Sequence, residues 1–428
     1  MLRFYCTTIL TKEISQRLLG GQPEGKGPAV SSSQDTVVIV GGGLASANVA
    51  QGLRSQGHTG AITILAGEAH LPYERPPLSK GLLLGDAEPD SVYPLDQAWY
   101  ADHDVTVRTG TRATAIDRGA KQVVLGDETV PYDQLVLATG AIARRFPGVE
   151  SGLVVTLRTL EDALALKPRL AGTVLIIGAG WIGLEAAAAA RHHDARVIVV
   201  EPTAMPLGRV LGDVVAASFT ALHREHGVDL RLETTVTSVR RDGDRAIVDL
   251  SDGSSHRVDL VLAGIGAVPD VALAESAGLA VDNGILVDPA LRTSDPAILA
   301  VGDVASHDHP TLGRIRVEHW DNAIEQGKHA AAVILGSEEA YDKLPYFFTD
   351  QYDLGMEYVG TTSKGYDEVV VRGNLDGDRV FTALWLLGDR IVAGMHANDF
   401  HAIDQIRRLV GTEASGATRD PSVPLADL

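Results

Sequence analysis

The chain alternates short, continuously apolar runs with longer amphipathic or alanine-rich stretches, and glycine closes several of the runs. Val37–Val40, Ile62–Leu65 and residues 135–140, 174–177, 197–200 and 298–301 are aliphatic or β-branched throughout or nearly so. Such runs predict strands buried on both faces, as in a parallel sheet. Helices are predicted over residues 45–56 and in the alanine-rich segment after Gly183. The plan of strand, glycine turn, helix and strand, followed later by a glycine-ended apolar strand (135–140, then 260–269), occurs twice. Residues 293–303, TSDPAILAVGD, supply another apolar strand to the first copy, so the second is inserted into it. A strand pair (228–239 and 246–250) closes the second copy. From Lys343 the pattern changes to strands over 369–372, 379–387 and 390–395, joined by Asp376-Gly377 and Gly388-Asp389 turns. This reads as an antiparallel meander. A helix is predicted over 399–410, and the tail from Gly411 reads as disordered.

The turn after residues 174–177 carries Gly178, Gly180 and Gly183 in G-x-G-x-x-G spacing. Gly178 allows the tight turn, Gly180 lets a pyrophosphate approach the backbone, and Gly183 lets helix and strand pack closely. The helix that opens there offers free N–H groups and a partial positive charge to phosphates. Glu201 ends the second strand, where a carboxylate can accept both ribose hydroxyls of NAD. Ile182 and Glu185 inside the motif, and Gly266 after the later strand, complete the candidate NAD set. The first copy has Gly41, Gly42 and Gly43, with Ser46 where a third glycine is usual. Its candidate ligands are Gly41, Gly43, Ser46, Glu68 beyond the second strand, and Thr139-Gly140. An α/β fold is expected, with two Rossmann-like dinucleotide-binding domains, one inserted in the other, plus a C-terminal α+β domain. The boundaries read as 34–147 with 273–335, then 148–272, then 336–410, with a disordered extension over 1–33 and a disordered tail over 411–428. Residues 173–190 are apolar enough to suggest a membrane span. Gly178, Gly180, Gly183 and Glu185 interrupt them, and a buried crossover is the better reading.

Composition narrows the partners. A formal net charge of −19 over 428 residues opposes nucleic acid and anionic membrane surfaces, both of which need a basic footprint. One cysteine, Cys6, precludes an internal disulfide and fits a reducing, cytoplasmic setting.

Six segments in this order, PYERPPLSK (72–80), LVLATGA (135–141), GAGWIGLE (178–185), TSDPAILAVGD (293–303), EHWDNAIEQG (318–327) and FTDQYD (348–353), carry a resemblance. Over about residues 36–410 the chain resembles the FAD-dependent NAD(P)H ferredoxin reductases, the branch of two-dinucleotide flavoproteins that includes putidaredoxin reductase, dioxygenase reductases and apoptosis-inducing factor. The resemblance implies non-covalent FAD, reduced by NAD(P)H and reoxidised by a ferredoxin-type iron–sulfur protein. It implies that Arg75 and Lys80 lie along the flavin, that Asp303 bonds the ribityl chain, and that Trp320 sits by the pyrimidine end. Glu185 would face Lys80 where the nicotinamide arrives, which makes that pair the catalytic candidates. Phe347-Phe348 stand where tryptophan is common.

Other readings stay in view. A thiol-linked flavoenzyme needs a reactive cysteine near PPLSK, and Cys6 is far from it in sequence. An NADH oxidase or redox-signalling flavoprotein resembling apoptosis-inducing factor, or a rubredoxin reductase, is the alternative. His307-Asp308-His309 has no third metal ligand in view, and His192-His193 reads as a helix C-cap. An acidic carrier would need a local basic patch, for which Arg75, Arg314 and Arg316 are candidates. Glu201, with no arginine directly after it, predicts NADH over NADPH; Arg209 is the residue that could reverse this. Monomer and homodimer both fit.

Overall fold

Val37–Val40 lies at the centre of a five-stranded parallel sheet, between Ile62–Leu65 and Gln134–Leu137. Val105–Arg108 and Ile298–Ala300 form its edges, so the late apolar run does return to the first unit. This computed structural model describes residues 31–428. The extension expected over 1–33 therefore lies outside it, except for a 3₁₀ turn at Ser31–Gln34. Helices Leu44–Ser55 and Trp320–Ile334 pack directly on each other. Small residues permit the approach: a Cβ at Gly52 would stand 2.8 Å from that of Ala331, and one at Gly327 would stand 2.8 Å from Ala45 O.

The second unit repeats the plan with Thr173–Ile177 between Arg196–Val200 and Leu260–Ala263, and Asp229–Arg231 at the edge, all parallel. Each unit also carries a three-stranded antiparallel ribbon. In the first it is Ala115–Asp117, Gln122–Leu125 and Glu128–Pro131; in the second, Val236–Asp242, Arg245–Leu250 and Ser255–Val258. The expected strand over 228–239 is two strands in two sheets, because Glu233 between them adopts φ +52° and turns the chain. The run over 260–269 also splits, and Ala267–Pro269 pairs antiparallel with Ala141–Ala143 of the first unit. Residues 173–190 form strand, turn and helix. No helix among the described residues is long and apolar enough to cross a membrane.

The C-terminal unit is a five-stranded antiparallel sheet in the order Tyr346–Gln351, Leu354–Gly360, Arg390–Ala397, Phe381–Leu387, Glu368–Gly373. It docks on a kink. Helix Gly208–Glu225 breaks at Gly212, φ +71° and ψ 168°. Val210 O and Leu211 O then accept from Thr362 Oγ1 (2.9 Å) and Trp385 Nε1 (3.1 Å) of that sheet.

The tail expected to be disordered from residue 411 is instead folded, with a short helix at Gly416–Arg419 capped by Ser415. Buried Arg372 holds it: Nε donates to Val423 O, and Nη2 donates to the carbonyls of Ala417, Thr418 and Asp420. Arg419 of the tail pairs with Glu368 and Asp389, and Leu425 and Leu428 pack on the C-terminal core. The local pattern gave no sign of this order, because its partners lie some thirty to fifty residues away.

Candidate functional site

Two glycine turns are shaped as cradles. Gly41 has φ +127°, and a Cβ there would lie 2.1 Å from Ala138 O. Only glycine fits. Gly43 caps helix Leu44–Ser55 and has open space where a side chain would project, so backbone N–H groups there can meet a phosphate. Ser46 is buried, and its Oγ donates to Gly41 O at 2.6 Å, tying the helix to the turn. The second cradle matches the first. Gly178 has φ +98°, its Cβ position lies 2.6 Å from Gly264 O, and a Cβ at Gly183 would lie 2.1 Å from Gly178 O. Gly180, the N-cap of helix Trp181–His192, has no neighbour nearer than 4.0 Å to its Cβ position. Beside it Ile182 is exposed, an apolar surface at the mouth of the turn.

Glu201 is anchored from both sides. Oε2 accepts from Ala179 N (2.9 Å), and Oε1 accepts from Thr203 N (3.0 Å) and Thr203 Oγ1 (2.7 Å). Its lone pairs are not exhausted by these bonds. The Glu68 carboxylate meets Arg75 Nη2 at 2.9 Å and accepts from the Tyr73 hydroxyl, so it also orients Arg75 and keeps lone pairs to spare. Gly266 lends its carbonyl to Arg144 N (2.9 Å) within the crossover. Thr139 Oγ1 donates to Asp270 O (2.6 Å), and Gly140 O accepts from Asp270 N (3.0 Å), so this expected cofactor turn also ties the units together.

Asp303 follows Gly302, whose N–H donates to the buried Gln326 Oε1. Oδ2 of Asp303 meets Arg158 Nη2 at 2.7 Å, and Arg158 Nε donates to Ala141 O. Nothing in the sequence marked Arg158.

The units converge at Lys80 and Glu185. Lys80 joins the short helices Pro76–Ser79 and Gly81–Leu84 of the first unit, and Glu185 lies on the glycine-motif helix of the second. Their Nζ–Oε1 distance is 2.8 Å, with side-chain exposures of 15% and 3%. Ser79 Oγ donates to Glu185 Oε2, and Thr349 Oγ1 of the C-terminal sheet donates to Oε1, each at 2.5 Å. Lys80 Nζ also lies 5.2 Å from the ring centre of Phe348, which meets Trp320 edge-on. Trp320 opens helix Trp320–Ile334, after a His319 whose burial drives its pKa down to about 4. Asp350 lies beside the pair, and burial raises its carboxyl to about 6. Thr349, Asp350 and Ser79 lay within quoted motifs, but their convergence on Glu185 was not legible.

Of the three arginines expected in a basic patch, Arg75 is paired with Glu68 and Arg316 with Glu318 and the Asp303 carbonyl, while exposed Arg314 donates to the carbonyls of Val287 and Ser306, which leave its charge uncompensated. His193 is the C-cap, and its Nε2 also meets Leu83 O at 2.6 Å. His307 and His309 are buried, and among the described residues no cluster suits a metal ion.

Residues 35–327 match the pyridine nucleotide-disulphide oxidoreductase family, and residues 346–428 match a reductase C-terminal domain. The chain is 43% identical to the ferredoxin–NAD(+) reductase component of an anthranilate 1,2-dioxygenase system from Burkholderia cepacia, over 92% of this chain and 98% of that one. It is 39% identical to putidaredoxin reductase of Pseudomonas putida, over 93% and 97%. In structure it resembles putidaredoxin reductase in covalent complex with putidaredoxin (TM-score 0.86, 39% identity, 92% and 97% covered). A ferredoxin reductase for a cytochrome P450 system from Rhodopseudomonas palustris aligns similarly (TM-score 0.87, 34% identity, 92% and 99% covered). With both glycine cradles, the inserted second unit and the C-terminal sheet in place, the chain belongs to the pyridine nucleotide-disulphide oxidoreductase family.

Proposed function

We propose that the chain is an NADH-dependent flavoprotein reductase that passes electrons through FAD to a ferredoxin-type iron–sulfur protein. The observation that carries this reading is the Lys80–Glu185 pair, buried where the three units meet. FAD belongs to residues 34–147 and 273–335, and NADH to residues 148–272. The residues present fit FAD: a turn at Gly41 that excludes any side chain, an open helix N-terminus at Gly43, and a carboxylate at Asp303. When bound, the flavin takes a hydride from the nicotinamide and releases electrons singly, which a nicotinamide cannot do.

The chain's own work is placement. Gly41, Gly43 and Ser46 would hold the FAD pyrophosphate, with Thr139 and Gly140 closing the turn. Arg75, oriented by Glu68, and Lys80 would border the flavin, and Asp303, oriented by Arg158, would accept from the ribityl hydroxyls. The N-terminus of helix Trp320–Ile334 carries a partial positive charge that would face the pyrimidine end of a bound flavin. Gly178, Gly180 and Gly183 would seat the NADH pyrophosphate, Glu201 the ribose, and Ile182 with Glu185 the nicotinamide side. Glu201 presents a carboxylate where NADPH would bring a phosphate, which selects NADH.

No dithiol can serve as an internal electron carrier, since the sequence holds one cysteine. The acceptor is therefore external, and the single cysteine favours the cytoplasm. The test is reduction of cytochrome c by purified protein and NADH, with and without a [2Fe–2S] ferredoxin. The yellow, FAD-loaded protein should need the ferredoxin; equal rates without it would refute the acceptor, and protein that takes up no FAD would refute the reading.

A further inference from the structure

A buried line of polar side chains leads away from Glu185, and the roles above do not use it. Thr349 Oγ1 donates to Glu185 Oε1 at 2.5 Å. Gln351 Nε2 donates to Thr349 Oγ1 at 3.2 Å. His223 Nε2 meets Gln351 Oε1 at 2.8 Å, and Tyr352 Oη meets His223 Nδ1 at 3.4 Å. Thr349 and Gln351 are each 1% exposed, and His223 is 0% exposed. The line surfaces at Tyr352, whose ring stacks on the exposed His226 with centroids 3.7 Å apart.

The direction of every bond is fixed by chemistry. Gln351 uses its amide nitrogen on Thr349, so its oxygen faces His223 and must accept. His223 therefore carries its proton on Nε2, and Nδ1 accepts from the tyrosine hydroxyl. Burial favours this neutral imidazole, lowering its pKa to about 4. Each donor then points the same way, toward the carboxylate, and such chains strengthen their members mutually. The line crosses between units three times: Glu185 and His223 belong to the second unit, and Thr349, Gln351 and Tyr352 to the C-terminal unit. Strand alternation puts Thr349 and Gln351 on one face, two residues apart, as the relay needs.

We propose that Thr349, Gln351 and His223 are positioning residues for hydride transfer, a one-way donor chain that fixes the Glu185 carboxylate and, through it, Lys80. This rests on the reading of the Lys80–Glu185 pair given above. In consequence, the geometry of the pair depends on the C-terminal sheet being docked on the second unit.

The experiment is stopped-flow reduction of the FAD-loaded enzyme by NADH in Thr349→Val, Thr349→Ser, Gln351→Met, Glu185→Gln and the Thr349→Val/Glu185→Gln double variant. Losing one charge-assisted donor should slow the reduction step about tenfold, with NADH affinity little changed. Thr349→Ser, which keeps the hydroxyl, should restore the parent rate. The double variant should be no slower than Glu185→Gln alone, because the chain acts only through that carboxylate. If Glu185→Gln is slow while Thr349→Val and Gln351→Met are not, the chain is refuted and the reading of the pair stands. Multiplicative losses in the double variant refute it as well. An unchanged rate in Glu185→Gln overturns both. Should Thr349→Val fail to fold, Gln351→Met against the parent, alone and combined with Glu185→Gln, makes the same comparison, because it removes the donor to Thr349 Oγ1.

Discussion

Replacing Lys80 by methionine removes the cation and keeps most of the volume. The cost follows from what remains. Glu185 would stay at 3% exposure with two hydroxyl donors, Ser79 and Thr349, and no opposite charge at 2.8 Å. Breaking a fully buried pair in this way costs about 3 to 5 kcal/mol, and the two hydroxyls with the lysine's 15% exposure place this case near 3 kcal/mol. The assay is a double-mutant cycle of Lys80→Met, Glu185→Gln and both together, followed by urea unfolding and by stopped-flow reduction with NADH. Adding Glu185→Gln to Lys80→Met should recover much of the stability, since the stranded charge is gone. It should not recover the reduction rate. A Lys80→Met variant as stable as the parent, or a double variant no more stable than Lys80→Met, would refute the argument that this is a desolvated ion pair. Unchanged reduction by NADH would remove Lys80 from the hydride-transfer site.

Three further outcomes are expected. With ferricyanide as acceptor, NADH should exceed NADPH in kcat/KM by about tenfold to a hundredfold, and Glu201→Gln should narrow that gap; equal donors in the parent enzyme would remove Glu201 from the ribose site. Arg372→Met should strip donors from four backbone carbonyls and free the last residues, at about 2 to 3 kcal/mol, seen as new protease cleavage after residue 411; an intact tail would show that its other contacts suffice. Stability should fall as pH drops from about 6.5 to 4. Buried His223, His307 and His319 have folded pKa values of about 4, so the unfolded chain binds their protons first. Asp321 and Asp350, raised to about 6, oppose this, and over these five groups three imidazoles less two carboxyls leave one proton, about 1.4 kcal/mol per pH unit. His309 and His329, also lowered by burial, add to the fall, and Glu74, raised by burial, opposes it. A melting temperature flat across that window would mean that the imidazoles are not held neutral.

What could be read from the chain was whatever local physics repeats. Continuous apolar runs gave both parallel sheets because strands covered on both faces must be apolar throughout. The glycines announced themselves because no other residue fits at Gly41, Gly178 or Gly183. Where the expectation failed, the signal was absent locally. The split of 228–239 depends on one residue, Glu233, in a left-handed conformation that composition does not reveal. Residues 411–428 show no periodic pattern, and their order comes from distant partners: Arg372 bonding their carbonyls, Glu368 and Asp389 pairing with Arg419, and the apolar core that Leu425 and Leu428 pack against.

The site shows the same division, and it decides which residues merit mutation first. Lys80, Glu185, Asp303 and Glu201 could be named because each belongs to a recurring motif. Arg158 and His223 could not, because each looks like an ordinary polar residue until the domains are packed, and although Thr349 and Gln351 lie in FTDQYD, nothing in that motif aims them at Glu185. Yet these orient the named ones: Arg158 holds Asp303, and the chain from His223 ends on Glu185. A buried carboxylate with a single cation can turn about its own side-chain bonds unless hydroxyls fix its second direction. Ser79 and Thr349 do this from two different units. Thus the alignment of the Lys80–Glu185 pair is a property of the three-unit assembly, and loosening the C-terminal sheet should slow reduction by NADH before it releases FAD.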